Sequence, residues 1–130
     1  MLGRKMKKLI LLLHICLLPM CVSCQTEQAF KSVDVAEFEK VIADTSYVLL
    51  DVRTATEYAE GHIPGTHFNI DVLQESFESE ALRVLRKKQK VALYCRSGNR
   101  SKNAARILSE KGLQVVELST GFKGRKAAGK

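Results

Sequence analysis

A cysteine followed by a short basic loop is the part of this sequence best suited to chemistry. Cys95 comes directly after an apolar run at 91–94 and precedes a polar loop that leads into a helical pattern. At such a strand–loop–helix junction, the backbone N–H groups of the loop and of the first helical turn point toward the sulfur. Arg96 and Arg100 add positive charge nearby. Such surroundings lower the pKa of a thiol from about 8.5 to roughly 3.5–7.5, so Cys95 is predicted to be an activated nucleophile beside an anion site.

The alternative for Cys95 is a purely structural role, because a buried thiol that ends a strand is a common small hydrophobic group. The residues that follow favour the chemical role. Gly98 lets the loop pass close to the sulfur, and arginine binds oxyanions through a planar fork of donors. Arg96 and Arg100 have an alternative role as solvated surface charges. Arg96 is the preferred contact for a substrate, whereas Arg100 has a second alternative as a partner of neighbouring carboxylates.

The elements that must position this loop alternate between strands and helices. Apolar runs predict strands, and apolar residues at helical spacing predict helices. The predicted strands are at 47–52, 67–70, 91–94 and 115–118; the predicted helices are at 34–43, 54–61, 75–87, from the loop to Gly112, and shortly after 121. This alternation predicts an α/β fold with a parallel sheet that helices cover on both faces. Asp51 and Cys95 both fall at the carboxyl ends of predicted strands, where ligands of such sheets bind.

Two helix starts carry a recognisable pattern. Asp34 with Glu37, and Thr54 with Glu57, have the spacing of an N-cap residue and the acidic residue of a capping box. These pairs predict that helices begin at about 34 and 54.

Length and composition are those of one globular domain. The chain has 130 residues, of which 45% are apolar and 27% charged. Its net charge is +7, and four of its basic residues lie before position 24. The rest of the chain has 17 basic and 14 acidic residues, which gives a net charge of +3. Later in the chain, basic residues do not form a stripe interleaved with aromatic ones, so nucleic-acid binding is not expected.

The N-terminal segment is predicted to be a sorting signal. A basic region at 4–8 precedes an apolar run at 9–18, which is shorter than the roughly 20 residues of a membrane-spanning helix. Ser23 and Cys24 resemble the cleavage site of bacterial lipoproteins, in which the cysteine is lipidated. The predicted divisions are a signal peptide at 1–24, a short tether at 25–31 and a domain at 32–130. We therefore expect an exported lipoprotein that faces the periplasm or the cell exterior. A soluble periplasmic protein cleaved without lipidation, or an uncleaved anchor, is the alternative.

The cysteines support the same interpretation. Cys16 and Cys21 would leave with the signal and Cys24 would carry lipid, so Cys95 would be the one thiol of the domain. An internal disulfide is then impossible, and no second histidine or cysteine stands at ligand spacing, so we expect neither a disulfide nor a metal site.

The order and spacing of several short motifs resemble the single-domain rhodaneses, which are thiosulfate or sulfane-sulfur transferases. The resemblance covers about residues 32–129 and is carried by the motifs at 50–53, 57–58, 61–65, 94–101, 121–124 and 127–129. It implies a three-layer fold, with a parallel sheet of about five strands flanked by helices.

The resemblance also implies a mechanism. Cys95 would attack the outer sulfur of thiosulfate or of another sulfane donor, form a persulfide, and pass the terminal sulfur to cyanide, a thiol or a protein acceptor, without a cofactor. The partners would therefore be a small anionic sulfur donor, one of these acceptors, and the membrane through Cys24. The residues expected to bind the donor and stabilise the persulfide are Arg96, Ser97, Gly98, Asn99, Arg100 and Ser101.

Other matching positions are expected to have structural roles. Asp51 and Arg53 would organise neighbouring loops through hydrogen bonds, and His62 would support a turn. One position departs from the family pattern, because Arg125 stands where family members usually carry tryptophan. The loss of that apolar anchor predicts weaker packing of the final helix.

Two rival functions belong to different classes. Cysteine phosphatases and arsenate reductases carry a Cys-x5-Arg pattern. In this chain Arg100 gives Cys-x4-Arg instead, and Ser101 occupies the position where that pattern has its arginine. The shorter loop should fit sulfur better than phosphate. The other rival is a non-enzymatic persulfide carrier or partner-binding module, which would also keep Cys95.

Overall fold

A parallel sheet between two layers of helices forms the fold. The computed structural model describes residues 29–130. The elements in chain order are β1 (Lys31–Val33), α1 (Val35–Ala43), β2 (Tyr47–Asp51), α2 (Ala55–Glu60), β3 (Phe68–Asn69), α3 (Phe77–Val84), β4 (Lys90–Tyr94), α4 (Asn99–Glu110), β5 (Gln114–Leu118) and α5 (Gly121–Ala127). The five strands are all parallel, in the order β1-β5-β4-β2-β3. The predicted α/β architecture is confirmed.

Strand β4 is the centre of the sheet, and both of its faces are buried. Val91 and Leu93 face one layer of the core, and Cys95 continues that face just beyond the strand. Ala92 and Tyr94 face the other layer. A continuous apolar run is what a parallel strand covered by helices on both sides requires, because neither face meets water. The run therefore carries Cys95 to the carboxyl edge of the sheet from inside the core.

Both predicted helix starts are present, but only one of them has both hydrogen bonds of a capping box. Thr54 accepts the backbone N–H of Glu57, whose carboxylate accepts the N–H of Thr54, so α2 has the complete box. At α1 the side chain of Asp34 accepts the N–H of Glu37 at 2.9 Å. The carboxylate of Glu37 instead contacts Lys40 at 3.5 Å. Both N-caps satisfy otherwise free helix donors.

The edges of the sheet differ from the prediction. Lys31, the last residue of the expected tether, begins the edge strand β1, which pairs with β5 through the register Lys31↔Val116. This strand is short and largely exposed, so it lacks the apolar alternation that predicts strands from sequence.

Helix α3 is shorter than the predicted 75–87, because Leu85 is already extended and Lys88 has a positive φ of 60°.

The described part of the chain, residues 29–130, has no helix long and apolar enough to cross a membrane. The predicted signal peptide at 1–24 and the predicted lipidation site Cys24 lie outside the described residues.

Candidate active site

The loop between β4 and α4 folds around the sulfur of Cys95. The backbone N–H of Gly98 donates to Sγ at 3.1 Å. Gly98 adopts a left-handed conformation, with φ of 103°, immediately before α4 begins. A Cβ atom at this position would lie 2.0 Å from the carbonyl oxygen of Ser119, so only glycine fits the turn without a backbone shift.

The thiol of Cys95 is buried and is surrounded by hydrogen-bonding groups. The residue is 1% exposed, and the hydroxyl of Ser101 lies 3.3 Å from Sγ. Burial by itself raises the pKa of Cys95. Hydrogen bonding with Ser101, Gly98 and Ser97 outweighs burial, so the pKa lies below its ordinary value. The sulfur thus has the donors that stabilise a thiolate, as the strand–loop–helix pattern predicted; its role as nucleophile stays a prediction.

Helix α5 holds the loop from the other side. The backbone N–H of Phe122 donates to the carbonyl oxygen of Cys95 at 2.8 Å, and that of Lys123 donates to Arg96 at 2.9 Å. A Cβ atom on Gly121 would lie 2.4 Å from the carbonyl carbon and oxygen of Arg96. This close approach, which needs glycine at the start of α5, fixes the first two residues of the loop.

Arg100 is engaged by a carboxylate. Its two terminal nitrogens each donate to Glu57 at 2.7 Å, so α4 is clamped to α2 by a bidentate pair. Arg100 lowers the pKa of Glu57 to about 2. Glu57 in turn raises the pKa of Arg100. Of the roles weighed from sequence, Arg100 therefore takes that of a carboxylate partner, with its fork already occupied.

Arg96 is the one residue of the 95–101 loop that lines an open cleft of about 440 Å³. Arg96, Lys123 and Lys126 line this cleft and form no ion pair within residues 29–130. The cleft is also lined by Arg53, Glu57, Glu60, Gly61 and Phe122. Its three free cations suit a small anion. Ser97 and Asn99, two other predicted donor contacts, are exposed on the same loop and at the start of α4.

Behind the loop lies an acidic residue that sequence reasoning missed. Ser101, which was predicted to contact substrate, donates its hydroxyl toward Glu117 at 2.7 Å and lies 3.0 Å from the carbonyl oxygen of Gly98. Glu117 is fully buried in β5, with Lys102 at 3.3 Å and a hydrogen bond from Ser32. A single acid inside an otherwise apolar strand was the sequence signal that could have indicated this group.

Asp51 and Arg53 form the hydrogen bonds expected of them. Both are buried, and Nη2 of Arg53 lies 2.7 Å from the Asp51 carboxylate and 2.7 Å from the carbonyl oxygen of Gly61. The amide of Asn69 donates to the carbonyl oxygen of Arg53 at 2.9 Å. The guanidinium also stacks 4.5 Å from the centre of the Phe122 ring. These bonds thus connect the loop after β2 to Gly61, which follows α2, and to the end of β3.

His62 and Arg125 both have local partners. The ring of His62 stacks on Tyr58 at 3.9 Å, and its Nδ1 lies 3.0 Å from the Tyr58 carbonyl oxygen, in keeping with a structural role. Arg125 contacts Glu39 of α1 at 2.6 Å. At the position whose departure from the family pattern predicted weaker packing, an ion pair joins α5 to α1. Within the described residues, no group of three or more histidine, cysteine or acidic side chains is placed to hold a metal ion.

The chain has relatives among known proteins. Residues 34–128 match the model of the rhodanese-like domain family. A sulfurtransferase of Allochromatium vinosum is 37% identical over 94 residues, which cover 69% of this chain and 82% of that protein. The thiosulfate sulfurtransferase PspE of Escherichia coli is 39% identical over 74 residues, which cover 57% of this chain and 69% of that protein.

A solved structure supports the same relationship. The crystal structure of a rhodanese-related protein from Thermoplasma volcanium superimposes with a TM-score of 0.64 at 31% identity, and the match covers 77% of this chain and 94% of that one. The match of most of the chain to the family model, together with the sheet order and the Cys95 loop, leads to one conclusion. The chain belongs to the family of rhodanese-like domains.

Proposed function

We propose that the protein is a sulfurtransferase that moves sulfane sulfur from thiosulfate or a persulfide donor to a thiophilic acceptor, through a persulfide on Cys95. The observation that carries the proposal is the Cys95 sulfur itself, which receives the Gly98 N–H at 3.1 Å at the carboxyl edge of the sheet. Relatives named as sulfurtransferases support it, among them the thiosulfate sulfurtransferase PspE.

In the first half-reaction, the Cys95 thiolate attacks the outer sulfur of thiosulfate. A new S–S bond forms on Cys95, the S–S bond of thiosulfate breaks, and sulfite leaves with the bonding electron pair. The persulfide anion that remains is stabilised by the N–H donors of the loop, which are already in place before the reaction. Arg96, whose fork has no carboxylate partner among residues 29–130, is the arginine available to the sulfite oxygens.

In the second half-reaction, the acceptor attacks the terminal sulfur of the persulfide. Cyanide takes that sulfur and becomes thiocyanate, or a thiolate takes it and becomes a persulfide, and in both cases Cys95 returns as the thiolate. Two half-reactions that share one covalent intermediate give ping-pong kinetics.

The narrow approach to Cys95 limits the size of donors. Because the residue is only 1% exposed, a donor must present a slender terminal sulfur to reach Sγ. Thiosulfate and linear persulfides meet this condition. A phosphate ester would need a wider loop with an arginine turned toward it, whereas Arg100 is bound to Glu57.

Sulfur loading tests the proposal. The protein is incubated with thiosulfate or an organic persulfide, and the Cys95 peptide is examined by mass spectrometry. We expect a gain of one sulfur atom that cyanide removes and that Cys95→Ala does not show. If no sulfane donor loads the wild-type protein, the transferase function is refuted. Loading without turnover in the presence of cyanide or thiols would instead identify a persulfide carrier.

Export and anchoring form a separate part of the proposal. We propose that the chain is exported and held on a bacterial membrane by lipid on Cys24, with its domain in the periplasm or outside the cell. The support is the basic and apolar pattern before Ser23-Cys24. Labelling with palmitate in a bacterial host should mark the wild type and not Cys24→Ala. Equal labelling of both, or of neither, would contradict the lipid anchor.

A further inference from the structure

A buried carboxylate that the sulfur-transfer steps do not use lies behind the Cys95 loop. Glu117 is 0% exposed and stands between Val116 and Leu118 in strand β5. Its Oε2 accepts the hydroxyl of Ser101 at 2.7 Å, and the same hydroxyl oxygen lies 3.3 Å from the sulfur of Cys95. A single serine therefore connects the nucleophile to a buried acid.

The hydroxyl of Ser101 has one hydrogen and three acceptors within reach. The Glu117 carboxylate is at 2.7 Å, the Gly98 carbonyl oxygen at 3.0 Å and the Cys95 sulfur at 3.3 Å. A hydroxyl donates one hydrogen bond, and a bond to a carboxylate is shorter and stronger than one to a neutral group. When the hydrogen points to Glu117, only the lone pairs of Ser101 face the sulfur. That arrangement favours a thiol, which can donate, over a thiolate, which cannot.

The contacts of Glu117 are those of a buried carboxylate. The ammonium group of Lys102, on α4, lies 3.3 Å from Oε1, and the hydroxyl of Ser32, on β1, hydrogen-bonds the same oxygen. Together with Ser101 they supply three donors, which is what a buried carboxylate needs to offset its lost hydration.

We propose that Glu117 is a positioning residue that restrains ionisation of the resting Cys95 thiol by holding the hydrogen of Ser101. The sulfur is then left with the backbone N–H donors of the loop, and in the protonated state its S–H donates to Ser101 Oγ. Because oxidants attack the thiolate, the restraint protects the empty site. The restraint acts on Sγ alone, so the terminal sulfur of a persulfide, which is one S–S bond away from Sγ, is not restrained.

The other charged groups near the sulfur act by different routes. The positive charge of Arg100 lies close enough to interact with Cys95 and is paired with Glu57. Arg96 from the loop and Lys123 from α5 line the cleft. Within the described residues, none of these four side chains forms a hydrogen bond or an ion pair with Glu117 or with the Ser101 hydroxyl.

The test is the pH dependence of Cys95 alkylation in the full chain, followed on the Cys95 peptide by mass spectrometry. In Glu117→Gln, the amide oxygen keeps Lys102 and Ser32 while the NH₂ group faces Ser101, which frees the hydroxyl hydrogen for the sulfur. We expect the midpoint to move down by about one pH unit, the size of one hydrogen bond to a charged group. Glu78→Gln, which changes an exposed carboxylate on α3 that is paired with Lys111, should leave the midpoint in place.

A second background shows whether the effect passes through Ser101. In Ser101→Ala, the additional Glu117→Gln change should no longer move the midpoint. An equal shift in both backgrounds would mean a through-space charge effect and would overturn the proposal, as would no shift or an upward shift in Glu117→Gln alone.

Circular dichroism establishes that each variant folds. If Glu117→Gln does not fold, Ser101→Ala decides. Ser101→Ala should leave the wild-type midpoint in place or lower it by no more than about a third of a pH unit, because Ser101 accepts only a weak S–H bond and its own hydrogen was not on the sulfur. A rise of about one unit would show that Ser101 donates to the thiolate, and would refute the restraint.

The functional consequence rests on the proposed sulfurtransferase activity and is measured separately. On the acidic side of the wild-type midpoint, Glu117→Gln should load sulfur from thiosulfate faster, while the transfer of sulfur to cyanide stays unchanged. If neither protein loads sulfur, the proposed function fails, but the alkylation profiles still decide the role of Glu117.

Discussion

The clamp between Arg100 and Glu57 makes the stability of the protein depend on acid pH. Glu57 accepts two hydrogen bonds of 2.7 Å from Arg100, and both side chains are about one quarter exposed. The pKa of Glu57 is lowered from 4.5 to about 2, chiefly by Arg100. A carboxylate with a depressed pKa in the folded state stabilises the protein fully above pH 4.5, and this contribution is lost as the pH falls toward 2.

The size of the effect follows from that shift. Taken at face value it would correspond to about 3 kcal/mol, at about 1.4 kcal/mol per pH unit, but partial exposure screens the pair. We therefore expect Glu57→Gln to lower the free energy of unfolding by about 1–2 kcal/mol at pH 7. The difference between the two proteins should shrink as the pH falls below 4.5.

Urea unfolding at a series of pH values from 7 to about 2.5 measures this difference. The matched control is Glu110→Gln, which removes the exposed pair of Glu110 with Arg106 and should cost no more than about 0.5 kcal/mol. If Glu57→Gln unfolds at the same urea concentration as the wild type at pH 7, or if its deficit does not change with pH, the clamp does not contribute as argued.

The remaining predictions concern the loop and its supports. Arg96→Ala should raise the apparent KM for thiosulfate about tenfold, from loss of a charge-assisted contact, and more than Arg100→Ala does; equal kinetics would remove Arg96 from the donor site. Gly98→Ala should lose most sulfur loading, because its Cβ would meet a backbone oxygen at 2.0 Å, while circular dichroism should show that it remains folded. Normal loading would show that the turn can move. Arg125→Ala should lower the free energy of unfolding by about 1 kcal/mol in the wild-type protein and by much less in a Glu39→Ala background. Additive losses in this double-mutant cycle would mean that the two side chains do not interact.

Much of the fold could be predicted from the sequence because its central elements have strong local patterns. The apolar run before Cys95 and the capping box that begins at Thr54 both indicate their elements within a few neighbouring residues. Strand β1 could not be predicted in this way. It is short and largely exposed, and its backbone partners are in β5, 85 residues away between Lys31 and Val116, so no local pattern encodes the pairing.

The candidate site was only partly predictable for a similar reason. The N–H donors around Cys95 follow from the local order of strand, loop and helix. The choice of partner for Arg100 depends on Glu57, which α2 brings to the loop from 43 positions earlier in the chain. Glu117 was missed because an acid in a strand reads as an exposed position until the structure shows both faces of β5 to be covered.

The attachment of α5 to the loop has a consequence for biosynthesis. The carbonyl groups of Cys95 and Arg96 bind N–H groups of Phe122 and Lys123, which a ribosome adds 27 residues later in each case. A nascent chain released before that point would carry the cysteine without the contacts that hold its surroundings in shape. The sulfur would then become reactive only late in synthesis, so the growing polypeptide would not carry an activated thiolate.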